Sequence, residues 1–559
     1  MSDIFKKHQE TLNKALEACR KRYNWSPFID NPSPRLHGEE KIRQGQAAFE
    51  AHLGKSFDLE QPGTIGRTGH EISPYTQTPL GIDYPKPDIE VLFKAAGKAQ
   101  ESWQEQSVEE RCGVLLEMLM KLSEQAFENA HATMHTAGQS FPMGFAGSGS
   151  NALDRGLEAL AHAYRAMTEI PATAQWEKQF SKQDVRLEKR YLLRPRGVAI
   201  VICCATFPAW NAYPAIMANL ATANPVIVKP HPNGILPMAI AVKTMRQVLS
   251  ELGHDPNLVT LAPDLADAPI TKELMTHPAT KIVDYTGSAR FGTWIEQNIR
   301  NALVYTETAG VNSVVLESVD NLDATLGSIA QTLCLFSAQM CTSPQNIHIP
   351  ALGITVAGQK VPYDEVVAKL VEAVEVRARN EKLAPNLFGA IQSENSLRLL
   401  EQYERIGRER GRILRQSTPY AHPHFPEART ATPLMIELEV TDRDIYQEEV
   451  FAPIAFIIKS ETREQALQQA TSDARTHGAI ASYFYSTDPD FLAKGQMAFA
   501  NAGASLTCNL TGPMPLNFAA AYSDYHVTGL NPAGNACLTD LAFVANRFRI
   551  IQIRFPHVS

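Results

Sequence analysis

The sequence predicts an α/β fold built around parallel, doubly wound sheets. Three observations carry that prediction. Apolar runs at 198–202, 226–228, 258–261 and 281–285 alternate with segments of helical period such as 238–252, the pattern of βα units that feed a parallel sheet. Residues 197–228 hold no charged side chain, yet Pro208, Pro214 and Pro225 and a change of pattern in mid-segment read as buried strand, helix and strand, not as a bilayer span. After Gly310 the βα pattern resumes with Val314, Val315 and Leu316, a helix over 322–337, strands around Ile347 and another at 455–458.

Composition narrows the function classes. At 559 residues the chain is long enough for more than one domain, and 44% hydrophobic with 20% charged residues is ordinary for a globular protein. The net charge of −8 and the absence of a long basic run give nucleic-acid binding no electrostatic support. Eight cysteines lie scattered without CxxC pairs, and the charged N-terminus has no apolar signal core. Both features suit free thiols in the cytoplasm.

Taken in order, residues 1–50 read as a helical extension, with Phe5, Leu12, Leu16 and Cys19 at helical spacing before the breaker Asn31-Pro32-Ser33-Pro34. A turn-rich stretch at 61–87 precedes two helices, one with Ile89, Leu92, Phe93, Ala96 and Trp103, the next over about 107–135. His131 and His135 share a helix face, but no glutamate lies between them as the zinc-protease pattern requires. They read as packing residues, and no metal is expected. Polar and apolar residues alternate over 171–194, an exposed arm or hairpin, and again over 547–554, a candidate edge strand to pair with it. The strand at 281–285 runs into Thr286-Gly287-Ser288, a turn suited to a phosphate at a helix N-terminus or to plain turn chemistry.

Within Ser337-Ala338-Gln339-Met340-Cys341-Thr342-Ser343-Pro344, Cys341 reads alone as a small core residue or as a nucleophile. Its company favours the nucleophile. Pro195-Arg196-Gly197, Phe207-Pro208, Lys229-Pro230, Gly287-Ser288 with Gly292, Glu307-Thr308-Ala309-Gly310, Gln339-Met340-Cys341 and Glu449-Val450-Phe451-Ala452-Pro453 occur in one order. Together they resemble the aldehyde dehydrogenase superfamily over roughly residues 60–559, with the family's spacing from Glu307 to Cys341. The resemblance implies a Rossmann-type cofactor domain (51–170 and 195–308), an α/β catalytic domain (309–540) and β-strand oligomerisation arms (171–194 and 541–559). It implies that Cys341 attacks an aldehyde carbonyl and that Glu307 activates water against the resulting thioester. Lys229 and Glu449 would hold ribose hydroxyls, Phe451 would pack by the nicotinamide, and Gly287 and Ser288 would approach the pyrophosphate. A homodimer or homotetramer is expected.

The departures from the family pattern are informative. Thr206 stands where the family carries the asparagine that holds the developing oxyanion, leaving a shorter donor beside the Cys341 backbone N–H. Asn211 is a second candidate on the following helix. Pro232, with His231 beside it, replaces the acid that favours NAD, so NADP is expected to serve at least as well as NAD. These replacements and the N-terminal extension resemble the PaaN-type branch of bacterial phenylacetate degradation. That likeness implies the semialdehyde of a ring-opened coenzyme A thioester as substrate. The competing expectations are an acylating, coenzyme A-dependent dehydrogenase, which retention of Glu307 argues against, a weakly active binding or scaffold homologue, which Thr206 would permit, and a thioesterase-like use of the same thiol.

Overall fold

The computed structural model describes residues 2–308, 310–526 and 540–557. Two parallel sheets carry the architecture. In the first, five strands lie in the order Val259–Leu261, Val226–Lys229, Val198–Ile202, Thr280–Gly287, Leu303–Thr308, every neighbouring pair parallel. Their near-continuous Val and Ile runs are buried on both faces, as parallel sheets require. The uncharged stretch at 197–228 becomes strand, helix Pro208–Ala221 and strand. No helix among the described residues is long and apolar enough to cross a membrane.

The second sheet has seven strands, ordered Arg412–Arg415, Leu434–Glu439, Ile454–Ser460, Asn346–Pro350, Ser313–Leu316, Ala481–Tyr485, Ser505–Cys508. Only the first pair is antiparallel. A third, antiparallel sheet joins Phe548–Pro556, Gln183–Pro195 and Thr173–Phe180. The C-terminal strand therefore pairs with the 171–194 segment in continuous register. Its slip at Ile550-Ile551 leaves both isoleucines exposed.

Three elements differ from the sequence reading or add to it. The helix expected over 107–135 is two, Val108–Glu124 and Ala126–Ala137. Gln125 leaves helical geometry at the break, and its Oε1 accepts from Thr244 Oγ1 at 2.7 Å. The first fifty residues form no separate unit. Helix Asp3–Lys21 buries Phe5, Leu12 and Cys19 in the same apolar core as helices Val108–Glu124 and Asn151–Thr168, and Glu39–Glu50 packs on Ala126–Ala137. The third change concerns the helix before Cys341. It ends at Cys334, and Phe336, Ser337 and Ala338 then adopt φ of 50°, 49° and 55°. Each costs about 1–3 kcal/mol outside glycine, so the turn needs tertiary support.

A buried ion pair ties the chain's end to the first sheet. Arg547 reaches Asp284 through two contacts, at 2.6 and 2.8 Å. Asn219 bonds both partners, and Tyr305 and Phe543 flank the guanidinium at 4.2 and 4.1 Å.

Candidate active site

A cavity of about 570 Å³ opens at the carboxyl ends of the five-stranded sheet. It lies where the strand order reverses, between Val198–Ile202 and Thr280–Gly287, the usual ligand crevice of open α/β sheets. Lys229, His231, Gly287, Ser288, Glu449, Phe451, Glu307, Thr206 and Cys341 all line it. Every residue singled out from the sequence is thus on one surface. Ser288 caps helix Ala289–Asn298, its Oγ accepting from the Phe291 N–H at 3.4 Å. A Cβ at position 287 would meet the Tyr285 hydroxyl at 2.4 Å, so a side chain there would have to displace the Tyr285 ring. The cradle fits a dinucleotide: a helix N-terminus with its free N–H groups, a cation and an apolar wall at Phe451.

Lys229 is not a free cation. Its Nζ lies 2.7 Å from Asp264 Oδ1, with both side chains almost fully buried. Burial lowers the Lys229 pKa, and Asp264 opposes that shift. Burial, then the Lys229 charge, hold the neighbouring His231 down to about 4. The Glu449 carboxyl is pushed up to about 8 by burial and then by the charge of Glu307.

The cysteine turn is held by neighbours from distant segments. Asn312 donates to the carbonyls of Cys341 and Ser343 at 2.7 and 3.0 Å, while its Oδ1 accepts the N–H groups of Ile480 and Ala481 at 3.0 Å each. Gln339 donates to Ala390 O at 3.0 Å and accepts from Gln392 N at 2.9 Å. Ser337 Oγ donates to Ala431 O at 2.9 Å. Gly389, at φ +68°, lets this backing strand approach, since a Cβ there would meet Gly138 O at 2.6 Å. These bonds offset the left-handed run and fix the thiol in place.

Cys341, Glu307 and His526 form one cluster, with ligand atoms within 4.8 Å of one another. His526 Nε2 is 2.9 Å from Glu307 Oε1 and 3.7 Å from Cys341 Sγ. Both His526 and Glu307 are buried. The Cys341 thiol is pushed well above its ordinary pKa by burial, then by Glu307 and Cys204. On the far side of Cys341 lies a second cavity of about 330 Å³, lined by His526, Trp210, Phe207, Met143, Leu335 and Phe518 among others. Cys341, Phe207 and Asn211 line both cavities. The thiol therefore stands at a junction between a polar-rimmed cleft and an apolar pocket.

Thr206 and Asn211 differ in placement. Thr206 lines only the first cavity, and its carbonyl accepts from Gln139 Nε2 at 2.6 Å. Asn211 donates to Cys204 Sγ at 3.3 Å. Sequence reasoning missed His526, Asp264 and Asn312. Of these only Asp264, just past the strand Val259–Leu261, stood at a place where βα geometry flags a residue. His526 sits in a loop with no periodic pattern. Helix Asn151–Thr168 positions that loop: Arg155 donates to the carbonyls of Ala519 and Asp524 at 3.1 and 3.0 Å, and the Tyr522 hydroxyl donates to Asp154 at 3.0 Å.

Comparison with known proteins matches residues 64–500 to the profile described as the aldehyde dehydrogenase family. The crystal structure of an NAD-dependent aldehyde dehydrogenase from Burkholderia multivorans is 43% identical, covers all of both chains and superposes with a TM-score of 0.96. A 1-pyrroline-5-carboxylate dehydrogenase of Bacillus licheniformis is 25% identical over 87% of this chain and 92% of its own. The Thermus 1-pyrroline-5-carboxylate dehydrogenase with bound NAD, at 17% identity, shares the fold with a TM-score of 0.71, covering 96% of this chain and 99% of its own.

Proposed function

Because the chain belongs to the aldehyde dehydrogenase family, we propose that it oxidises an apolar aldehyde to the carboxylic acid through a thiohemiacetal and a thioester on Cys341. The observation that carries this reading is the Glu307–Cys341 pair at the junction of the two cavities. Glu307 takes the thiol proton, and the sulfur forms a bond to the carbonyl carbon while the π pair moves to oxygen. A nicotinamide cofactor supplies the hydride acceptor for the carbon–hydrogen pair that leaves as the thioester forms. Glu307 passes the thiol proton to solvent and, ionised again, takes a proton from water; the hydroxyl adds to the thioester carbon, and the carbon–sulfur bond breaks to release the acid and return the thiolate.

NAD is the acceptor we favour. The expectation of NADP rests on Pro232, whereas the 43% identical Burkholderia multivorans protein is NAD-dependent, and Asp264, buried against the cleft residue Lys229, restores a carboxylate beside that lysine. Among the described residues that line the substrate pocket there is no Lys or Arg. A glutamate-derived semialdehyde, with its α-carboxylate, would find no counter-charge there. The pocket's Trp, Phe and Met side chains suit an apolar acyl chain, and the semialdehyde of a ring-opened coenzyme A thioester is the specific candidate. Exposed Phe180, Val185, Ile550 and Ile551 on the third sheet support its use as a contact between copies of the chain.

The test is reduced-cofactor formation with a panel of apolar and charged aldehydes, with product identified in the presence and absence of free coenzyme A. Acid formation without coenzyme A, abolished in Cys341→Ala, is expected. Exclusive formation of an acyl coenzyme A would establish the acylating reading instead.

A further inference from the structure

We propose that the Nε2–H of His526 is the side-chain donor that stabilises negative charge at this centre, first on the Cys341 sulfur and then on the substrate oxygen, the duty that Thr206 was expected to carry. For the substrate step this rests on the aldehyde-oxidising reading above. His526 Nε2 lies 2.9 Å from Glu307 Oε1. A carboxylate is acceptor only, so the hydrogen in that contact belongs to the nitrogen. Nε2 therefore has no lone pair for the thiol proton, and His526 does not act as the base. Glu307 Oε2 has no hydrogen-bond partner among the described residues and is the open acceptor.

The charge then moves in one direction. The S–H bond breaks as a proton passes to Glu307, which neutralises the carboxylate that His526 was holding. The thiolate so formed lies 3.7 Å from the same Nε2–H, and the hydrogen bond shifts toward it without the proton leaving nitrogen. When sulfur bonds the carbonyl carbon, the pair moved to oxygen places the charge on an atom attached to that carbon. A donor must lie about 3 Å from that oxygen, and a nitrogen 3.7 Å from sulfur on the substrate side meets this. His526 lines the substrate pocket and not the cofactor cleft, so its N–H approaches from where the aldehyde enters.

The surroundings hold the ring in place. On one side are Glu307 and Cys341, and beyond the thiol lie Cys204 and Glu449, whose charges act on it. On the other side Trp210 meets the ring edge to face, with centroids 4.8 Å apart. The Arg155 guanidinium lies 5.2 Å from the indole ring. An aromatic wall holds the imidazole plane without adding charge. Thr206, by contrast, lines only the cofactor side.

The experiment uses the full chain with His526→Phe, which keeps an aromatic ring against Trp210 and removes the N–H. His526→Leu serves as a second apolar variant, His526→Gln restores a donor, and Thr206→Val is the contrast. Circular dichroism and cofactor binding select the folded variants. Two readouts are taken: the pH profile of iodoacetamide alkylation at Cys341, which needs no substrate, and the rate of hydride transfer in a single turnover. We expect the apolar variants to move the alkylation profile to higher pH and to slow hydride transfer roughly 10²–10³-fold. His526→Gln should recover much of both, and Thr206→Val should change either by less than about tenfold. An alkylation profile unchanged in folded apolar variants overturns the proposal, as does a larger loss in Thr206→Val. Loss of the His526 effect on adding a chelator also overturns it, because a metal bridging the three side chains would then be responsible. If no aldehyde is oxidised by the native chain, the functional reading fails while alkylation still decides the role of His526.

Discussion

Lys229 Nζ lies 2.7 Å from Asp264 Oδ1, a buried pair at the edge of the cofactor cleft. The chain lacks the acid that usually follows the lysine, and the fold brings one from the next strand's end. Asp264→Asn keeps the hydrogen-bonding shape and removes the charge. The ratio of kcat/KM for NADP to that for NAD should rise roughly tenfold, equivalent to ~1.4 kcal/mol. An unchanged ratio would remove Asp264 from cofactor selection.

Asn312 should matter to both stability and rate. Its amide makes four bonds, two of them to carbonyls of the cysteine turn. Asn312→Ala leaves buried donors and acceptors unpaired, each at about 1–3 kcal/mol. Urea denaturation should show a loss of several kcal/mol, about two such groups' worth or more, and kcat should fall by a larger factor than KM rises.

The Arg547–Asp284 pair gives a purely structural prediction. Removing Arg547 strands a buried carboxylate, so Arg547→Met should cost about 3–5 kcal/mol in denaturant unfolding. The double variant Arg547→Met with Asp284→Leu should recover much of that loss. If the double variant is no better than the single, packing against Tyr305 and Phe543 dominates over charge.

Glu449 imposes a pH dependence. Its carboxyl titrates near 8 in the folded chain against an ordinary 4.5. Between those values the folded state holds more protons, so the contribution is fully present below about 4.5 and is lost as pH rises through 8. Glu449→Gln cannot lose it. Calorimetry from pH 5 to 9 should show the variant's Tm gaining on the native chain as pH rises, and parallel Tm curves would refute the assignment.

The alternating strands, the uncharged segment at 197–228 and the line of short motifs ending at Cys341 were legible in the sequence because each is local. Period, turn chemistry and spacing are properties of neighbours in the chain, and they sufficed to put nine named residues around one cleft. The break at Gln125 and the left-handed run at 336–338 were not legible. Each is held by partners far away, Thr244 in one case and Ala390, Gln392 and Ala431 in the other. The partner of the cysteine was hidden for the same reason. His526 follows Cys341 by 185 residues in a loop without pattern, and packing of that loop against helix Asn151–Thr168 and of the ring against Trp210 sets its nitrogen between Cys341 and Glu307. Chain order pointed to Cys341 as the candidate nucleophile and to Glu307 as the candidate base. Which side chain lies beside both was decided by tertiary structure, because hydrogen bonds act over about 3 Å of space whatever the distance along the chain.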